Sequence, residues 1–367
     1  MKKICVLLVL MIAVSTQMEG SNSGKKMKAN DNGVTYTGRT SVASDGAVSY
    51  DWTGVYLQTY FTGGSIAIDV SEAGTSYHNV FIDGKWIKKI KISSTQPSHV
   101  IVLASGLSHG AHLLRLQKCT EGEYGCTTIH NIILSKEGTL KSVPHKERMI
   151  EVYGDSYTCG YGTESKSAEE PFELETENCD KAYGPIIARY FNADYALIAH
   201  SGQGMVRDWG DSVQVSKQNM TTRHTKMFDA HGIEAYDFMA YKPNLVIINL
   251  GTNDFSPTAI PTEDQYVDAY IKMIESIRSH YDNVPVLCVT PHSANLYLTS
   301  CLEILRERVK MMKGVYMANT MTGIVTHDYD MGASWHPNYQ GQRKIAMSLI
   351  PVISAIMNWN LENKIVE

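Results

Sequence analysis

Across residues 34–146 the apolar positions come in short runs, many of them alternating with polar ones: "GVYLQTYF", "GSIAIDV", "HNVFIDGKWIKKIKI", "SHVIVLAS", "AHLLRLQKC" and "TIHNIILS". Period-two runs broken by Gly, Asp and Ser predict an antiparallel β-sandwich, and "IDGKW" reads as a hairpin turn. From residue 147 the pattern changes. Continuous apolar runs at 149–153, 195–199, 245–250, 286–289 and 315–317 predict strands buried on both faces. Between two of them, "TEDQYVDAYIKMIESIRSHY" places Val267, Tyr270, Ile271, Ile274 and Ile277 on one helical face. Buried strands alternating with amphipathic helices predict a parallel sheet covered on both sides, an α/β domain over 147–367.

Length agrees with two domains, since 367 residues exceed what one core usually serves. The opening "MKKICVLLVLMIAVSTQ" has two lysines, an apolar run and then small residues. It reads as a secretory signal peptide over 1–15 and predicts export. Residues 16–33, rich in Ser, Gly, Asn and Lys, read as a flexible leader. A formal net charge of −5 without a basic block gives nucleic acid or an anionic membrane nothing to bind, and favours a neutral substrate. Beyond Cys5, six cysteines fall into sequence-local couples: Cys119 with Cys126, Cys159 with Cys179, Cys288 with Cys301. In an exported protein these predict disulfides, Cys119 with Cys126 first. No couple has zinc-site spacing, and no phosphate loop or dinucleotide fingerprint occurs, so neither metal nor cofactor is expected.

The chemistry collects where the buried strands end. In an open α/β sheet the ligand lies beyond the carboxyl ends of the strands. The first run leads into Gly154-Asp155-Ser156, the second into "HSGQG" (200–204), the third into "GTND" (251–254), and "ASWHPNYQGQ" (333–342) precedes a last helix. A serine hydroxyl attacks poorly unless a base takes its proton, and the oxyanion that results needs fixed donors. These four stations offer a hydroxyl, an imidazole, small glycines and an amide.

They resemble the signature of the SGNH, or GDSL-type, hydrolase superfamily, and with the preceding sandwich the chain resembles the two-domain carbohydrate esterases of family 2. The resemblance implies a flavodoxin-like catalytic domain behind a jelly-roll, acting without a cofactor to remove acetyl groups from plant cell-wall polysaccharide. It implies Ser156 as nucleophile, His336 as base, and an oxyanion hole of the Ser156 N–H, the Gly202 N–H and the Asn253 amide, with Gly204 as the alternative glycine. The aspartate usual two or three residues before the histidine is missing, since Ser334 and Ala333 stand there. His336 is then oriented by a backbone carbonyl, or by Asp330 or Asp328. Trp335 is the ring chosen for stacking on a sugar, ahead of Trp209 and Tyr161. Asp155, Asp254, His200 and His292 read as structural, and Arg207 as a support of the glycine turn. Trp52 or Trp86 could carry polysaccharide on the sandwich, although a companion domain packed on the hydrolase is preferred. Two rival readings are a broader esterase acting on lipids or thioesters and a carbohydrate-binding protein without turnover.

Overall fold

A computed structural model describes residues 24–94, 98–319, 323–326 and 329–367. The signal peptide, residues 16–23 of the leader and Asp328 lie outside them. The sandwich is built around one long strand, Ile66–Ile82, which serves two sheets. Its first half pairs with Gly125–Leu134 and His99–Ala104, its second with Lys85–Ser93 and His112–Lys118, all antiparallel. Between the halves Gly74 takes φ +108, where a side chain would meet the Tyr124 carbonyl. The sheet therefore curls over itself and encloses Leu57, Phe61, Ile68, Val70, Leu116 and Ile129. Asp83 and Gly84 both take positive φ, the turn that a two-residue hairpin requires, as "IDGKW" predicts.

Two expectations change here. Lys25–Lys28, within the stretch read as leader, forms a strand on Gly125–Leu134, so the sandwich takes in part of that stretch, from nine residues before residue 34. The six cysteines from Cys119 onward are free thiols. Cys119 bonds to Tyr77 of the long strand, whereas Cys126 pairs with Ala73. Four strand residues separate those partners by roughly 13 Å, beyond disulfide reach. Cys159 and Cys179 turn toward different acceptors, Glu121 and the Lys118 carbonyl, and Cys288 on a strand and Cys301 on a helix are likewise unpaired.

The second domain is a five-stranded parallel sheet of Met149–Gly154, Asp194–Ala199, Leu245–Asn249, Val286–Thr290 and Val315–Asn319, ordered second, first, third, fourth, fifth. Every apolar run of the sequence became one of these strands. Alternate residues feed opposite faces. Val152, Leu197 and Ile247 pack under Tyr183–Tyr190 and Tyr339–Met357, while Tyr153, Ile198 and Ile248 pack under Glu263–His280 and Leu296–Val309. The helix read over 262–281 is Glu263–His280, started by a Thr262–Gln265 capping box.

The two domains are locked together. Arg39 of the sandwich is fully buried, donates to the His224 and Lys226 carbonyls and lies 4.0 Å from the Tyr236 ring. Asp51 accepts the N–H groups of Asp229, Ala230 and His231. Trp52, one of the two sugar-contact candidates of the sandwich, is wholly buried and donates to the Met227 carbonyl, so it packs the domain boundary instead.

Candidate active site

The order of the sheet places its switch point between the first and third strands, and the predicted residues gather there. Ser156 follows the first strand as the first residue of a four-residue helix, Ser156–Cys159, capped by the Asp155 carboxylate, which accepts the Tyr157 N–H at 3.1 Å. Gly154 must be glycine, since a Cβ there would lie 1.9 Å from Thr158 Oγ1. His336 arrives from 180 residues away. Its Nε2 lies 2.9 Å from Ser156 Oγ, and its Nδ1 lies 2.9 Å from the Ser334 carbonyl oxygen.

The backbone ahead of His336 explains that second contact. Ser334 and Trp335 both take left-handed φ, +52 and +61. Such conformations cost about 1–3 kcal/mol each in non-glycine residues and persist only where the surroundings impose them. Here the Ser334 N–H donates to the Glu170 carbonyl and the Trp335 N–H to the Ala168 carbonyl, both in the acidic segment after Ser156. Asn338, two residues beyond His336, caps the final helix through Gln340 and Gly341. The tight turn so formed aims a carbonyl at the imidazole, where the resemblance leaves a carboxylate missing.

Asp330 is engaged elsewhere. Its carboxylate accepts the Thr326 N–H at 2.7 Å and pairs with Lys344 at 2.7 Å. Burial opposes its charge, but Lys344 and Thr326 hold it below the ordinary carboxylate value. Asp330→Asn should therefore leave kcat/KM for an acetyl ester within about threefold while lowering Tm by about 2–4 °C, through loss of the half-exposed ion pair with Lys344. Kinetics beside thermal unfolding check this, and a folded variant slowed by orders of magnitude would assign Asp330 to the imidazole.

Glycine at 202 takes φ +75, would meet only the Trp209 Cβ at 3.8 Å if it bore a side chain, and has no acceptor for its N–H among the described residues. Gly204 differs, because its N–H is occupied by Asp208 at 3.1 Å. The geometry thus favours Gly202 as the free donor. Asn253 is buried, its Nδ2 donating to the Gln203 carbonyl at 2.9 Å and approaching Asp155 Oδ2 at 3.2 Å. Burial pushes the Asp155 carboxyl up to about 7. Asp254 accepts the N–H groups of Met205, Val206 and Arg207, which fastens the glycine loop to the "GTND" loop. Buried Arg207 returns the tie to the Asn253 and Asp254 carbonyls.

The remaining candidates separate by exposure and contact. Trp335 is 52% exposed beside His336, and Trp209, also exposed, donates its backbone N–H to the Gly202 carbonyl at 2.8 Å. Tyr161 instead packs between Phe172 and His336, with ring centroids 4.0 and 4.2 Å away. His200 is held by Asp229 at 3.0 Å; burial works against its charge, yet that carboxylate brings it up to about 9. His292 lies against Tyr157 at 5.0 Å.

Sequence reasoning missed Glu121. It sits in the loop between Cys119 and Cys126, wholly buried, and its Oε2 accepts the Ser201 N–H at 2.6 Å, so the sandwich domain holds the residue before Gly202. Glu177 accepts the Glu121 N–H at 3.1 Å, and burial, then the neighbouring Glu121 charge, raises the Glu177 carboxyl well above its ordinary value.

Residues 36–144 match the family described as Carbohydrate esterase 2 N-terminal, and residues 152–344 match the GDSL-like Lipase/Acylhydrolase family. The chain is 29% identical over 333 residues to the cellulase/esterase CelE of Acetivibrio thermocellus, which covers 89% of this chain and 40% of that protein. An acetylxylan esterase / glucomannan deacetylase of Cellvibrio japonicus is 28% identical over 316 residues, 82% of this chain and 84% of its own. Among solved structures, a family two carbohydrate esterase from Clostridium thermocellum in complex with cellohexaose superposes with TM-score 0.82 at 28% identity, covering 89% of this chain and 100% of that one.

Proposed function

We propose that this chain, which belongs to the GDSL-like Lipase/Acylhydrolase family, is a carbohydrate esterase that removes O-acetyl groups from hemicellulose of the xylan or glucomannan type. The observation that carries the reading is the 2.9 Å approach of His336 Nε2 to Ser156 Oγ. A backbone carbonyl can only accept, so the ring nitrogen facing Ser334 O bears the proton, and the Nε2 lone pair faces the serine hydroxyl. Burial lowers the imidazole below its ordinary value and keeps it ready to accept at neutral pH.

Ser156 Oγ then attacks the acetyl carbonyl while its proton passes to Nε2. The tetrahedral oxygen takes up hydrogen bonds from the Ser156 and Gly202 N–H groups and from the Asn253 amide, which gives up its longer contact with Asp155 to do so. Collapse breaks the bond to the sugar, whose oxygen receives the proton from His336. Water, deprotonated by the same imidazole, attacks the acetyl-serine and releases acetate. Ser334 O stabilises the imidazolium in both halves, which makes the pair a dyad. The exposed Trp335 ring offers a face for the sugar that carries the acetyl group. Export fits this reading, because plant polysaccharide lies outside the cell that degrades it.

Acetate release from acetylated xylan and acetylated glucomannan tests the assignment, with chromogenic acetyl and octanoyl esters alongside. Acetate from at least one glycan, and faster turnover of the acetyl ester, are expected. No acetate from either glycan, together with preference for the octanoyl chain, would turn the assignment toward a lipase.

A further inference from the structure

The crease between the domains carries an exposed tryptophan that the reaction does not use. Trp86 opens the strand Lys85–Ser93, faces Phe81 across the hairpin and is 58% exposed. Its Nε1–H donates to Asn79 Oδ1 at 3.0 Å, and the buried Asn79 is itself held by Asn178 of the catalytic domain at 2.9 Å. The ring is thus fixed in orientation although it stands in water. A cavity of ≈ 510 Å³ lies against it, bordered by Gln58, Arg115 and Tyr339, and another of ≈ 360 Å³, bordered by Glu164 and Lys181. Trp86, Phe81 and Asp180 line both, so the two cavities adjoin at Trp86 and together form the groove. Each volume falls in the range of small-ligand sites.

Most of the charges along this groove already satisfy one another. Asp180 takes Arg115 at 2.6 Å and Arg189 at 3.1 Å, and Glu164 takes Lys89 at 2.5 Å and Lys181 at 2.8 Å. An ionic ligand would have to compete with these pairs. What the groove offers instead is a flat aromatic face between planar amide and guanidinium edges. A neutral sugar ring matches that, with C–H groups on its face and hydroxyls around its rim.

We propose that this groove is a second contact for neutral polysaccharide, apart from the Ser156 centre, in which Trp86 stacks on a sugar ring. The proposal rests on the reading of the chain as a glycan esterase. Its value to such an enzyme is retention: a polymer held at a second point presents its acetyl groups to Ser156 at a raised effective concentration. The bank opposite the sandwich carries Glu164, Asn178, Asp180, Lys181, Arg189 and Tyr339, on the same segments that follow Ser156 and His336 in the chain.

Trp86→Ala and Trp86→Phe, assayed on acetylated glucomannan and on a chromogenic acetyl ester, test it. Trp86→Ala should raise KM for the polymer roughly tenfold, as truncation of a buried-on-binding tryptophan does, with kcat and small-ester turnover unchanged. Trp86→Phe keeps a ring and should recover most of the loss. A polymer KM that does not move in Trp86→Ala, with polymer still deacetylated, overturns the second contact and leaves the esterase reading standing. Turnover of the chromogenic ester by the unaltered protein, with no action on any acetylated polymer, overturns both.

Discussion

Ser156→Ala is expected to lower kcat/KM for acetyl esters by roughly 10⁴-fold or more, and His336→Ala to do the same, with the double variant no slower than either. The reason is that nucleophile and base act through one proton transfer. Once either is gone, the other has nothing to accept or give. Neither change should disturb the fold, because Ser156 contributes only its hydroxyl to the contact with His336 and the helix cap at Asp155 stays in place. Residual turnover would come from the donors around the oxyanion. Additive losses in the double variant would mean that the two side chains act in separate steps, which the 2.9 Å contact does not allow.

Asn253→Ala is expected to lower kcat by about 10²–10³-fold with KM little changed, the usual cost of one oxyanion donor. The kcat/KM split matters because Asn253 also supports the Gln203 carbonyl at 2.9 Å. A purely structural asparagine would instead show itself as a lower Tm with activity restored on cooling. A loss under about tenfold in a stable variant would leave the Ser156 and Gly202 N–H groups as the working donors and remove Asn253 from the reaction.

The parallel sheet was legible because strands covered on both faces cannot hide their composition: 245–248 and 286–289 are solidly apolar. The four stations were legible because the sheet brings the ends of its strands together, so residues distant in sequence can be read as neighbours. Other features were written in terms the sequence does not display. The group that orients His336 is a backbone carbonyl, set by left-handed φ at Ser334 and Trp335, and any residue would supply that oxygen. Glu121 reaches Ser201 across 80 residues and a domain boundary, with only a turn-like "TEGEYG" around it. "KKMK" at 25–28 looked like solvated leader because it pairs at an edge, where three of its four side chains stay exposed. Cys119 and Cys126 were close in sequence but not in space, since one long strand holds their partners apart.

The central claim is that Ser156, deprotonated by His336, carries the acetyl group between sugar and water. Rapid acid quenching during turnover of an activated acetyl ester, followed by peptide mass spectrometry, measures this directly. A single acetyl group on the peptide bearing Ser156, absent in Ser156→Ala, is the predicted result. Continued turnover with Ser156 never acetylated, or with the acetyl group on another residue, would contradict it.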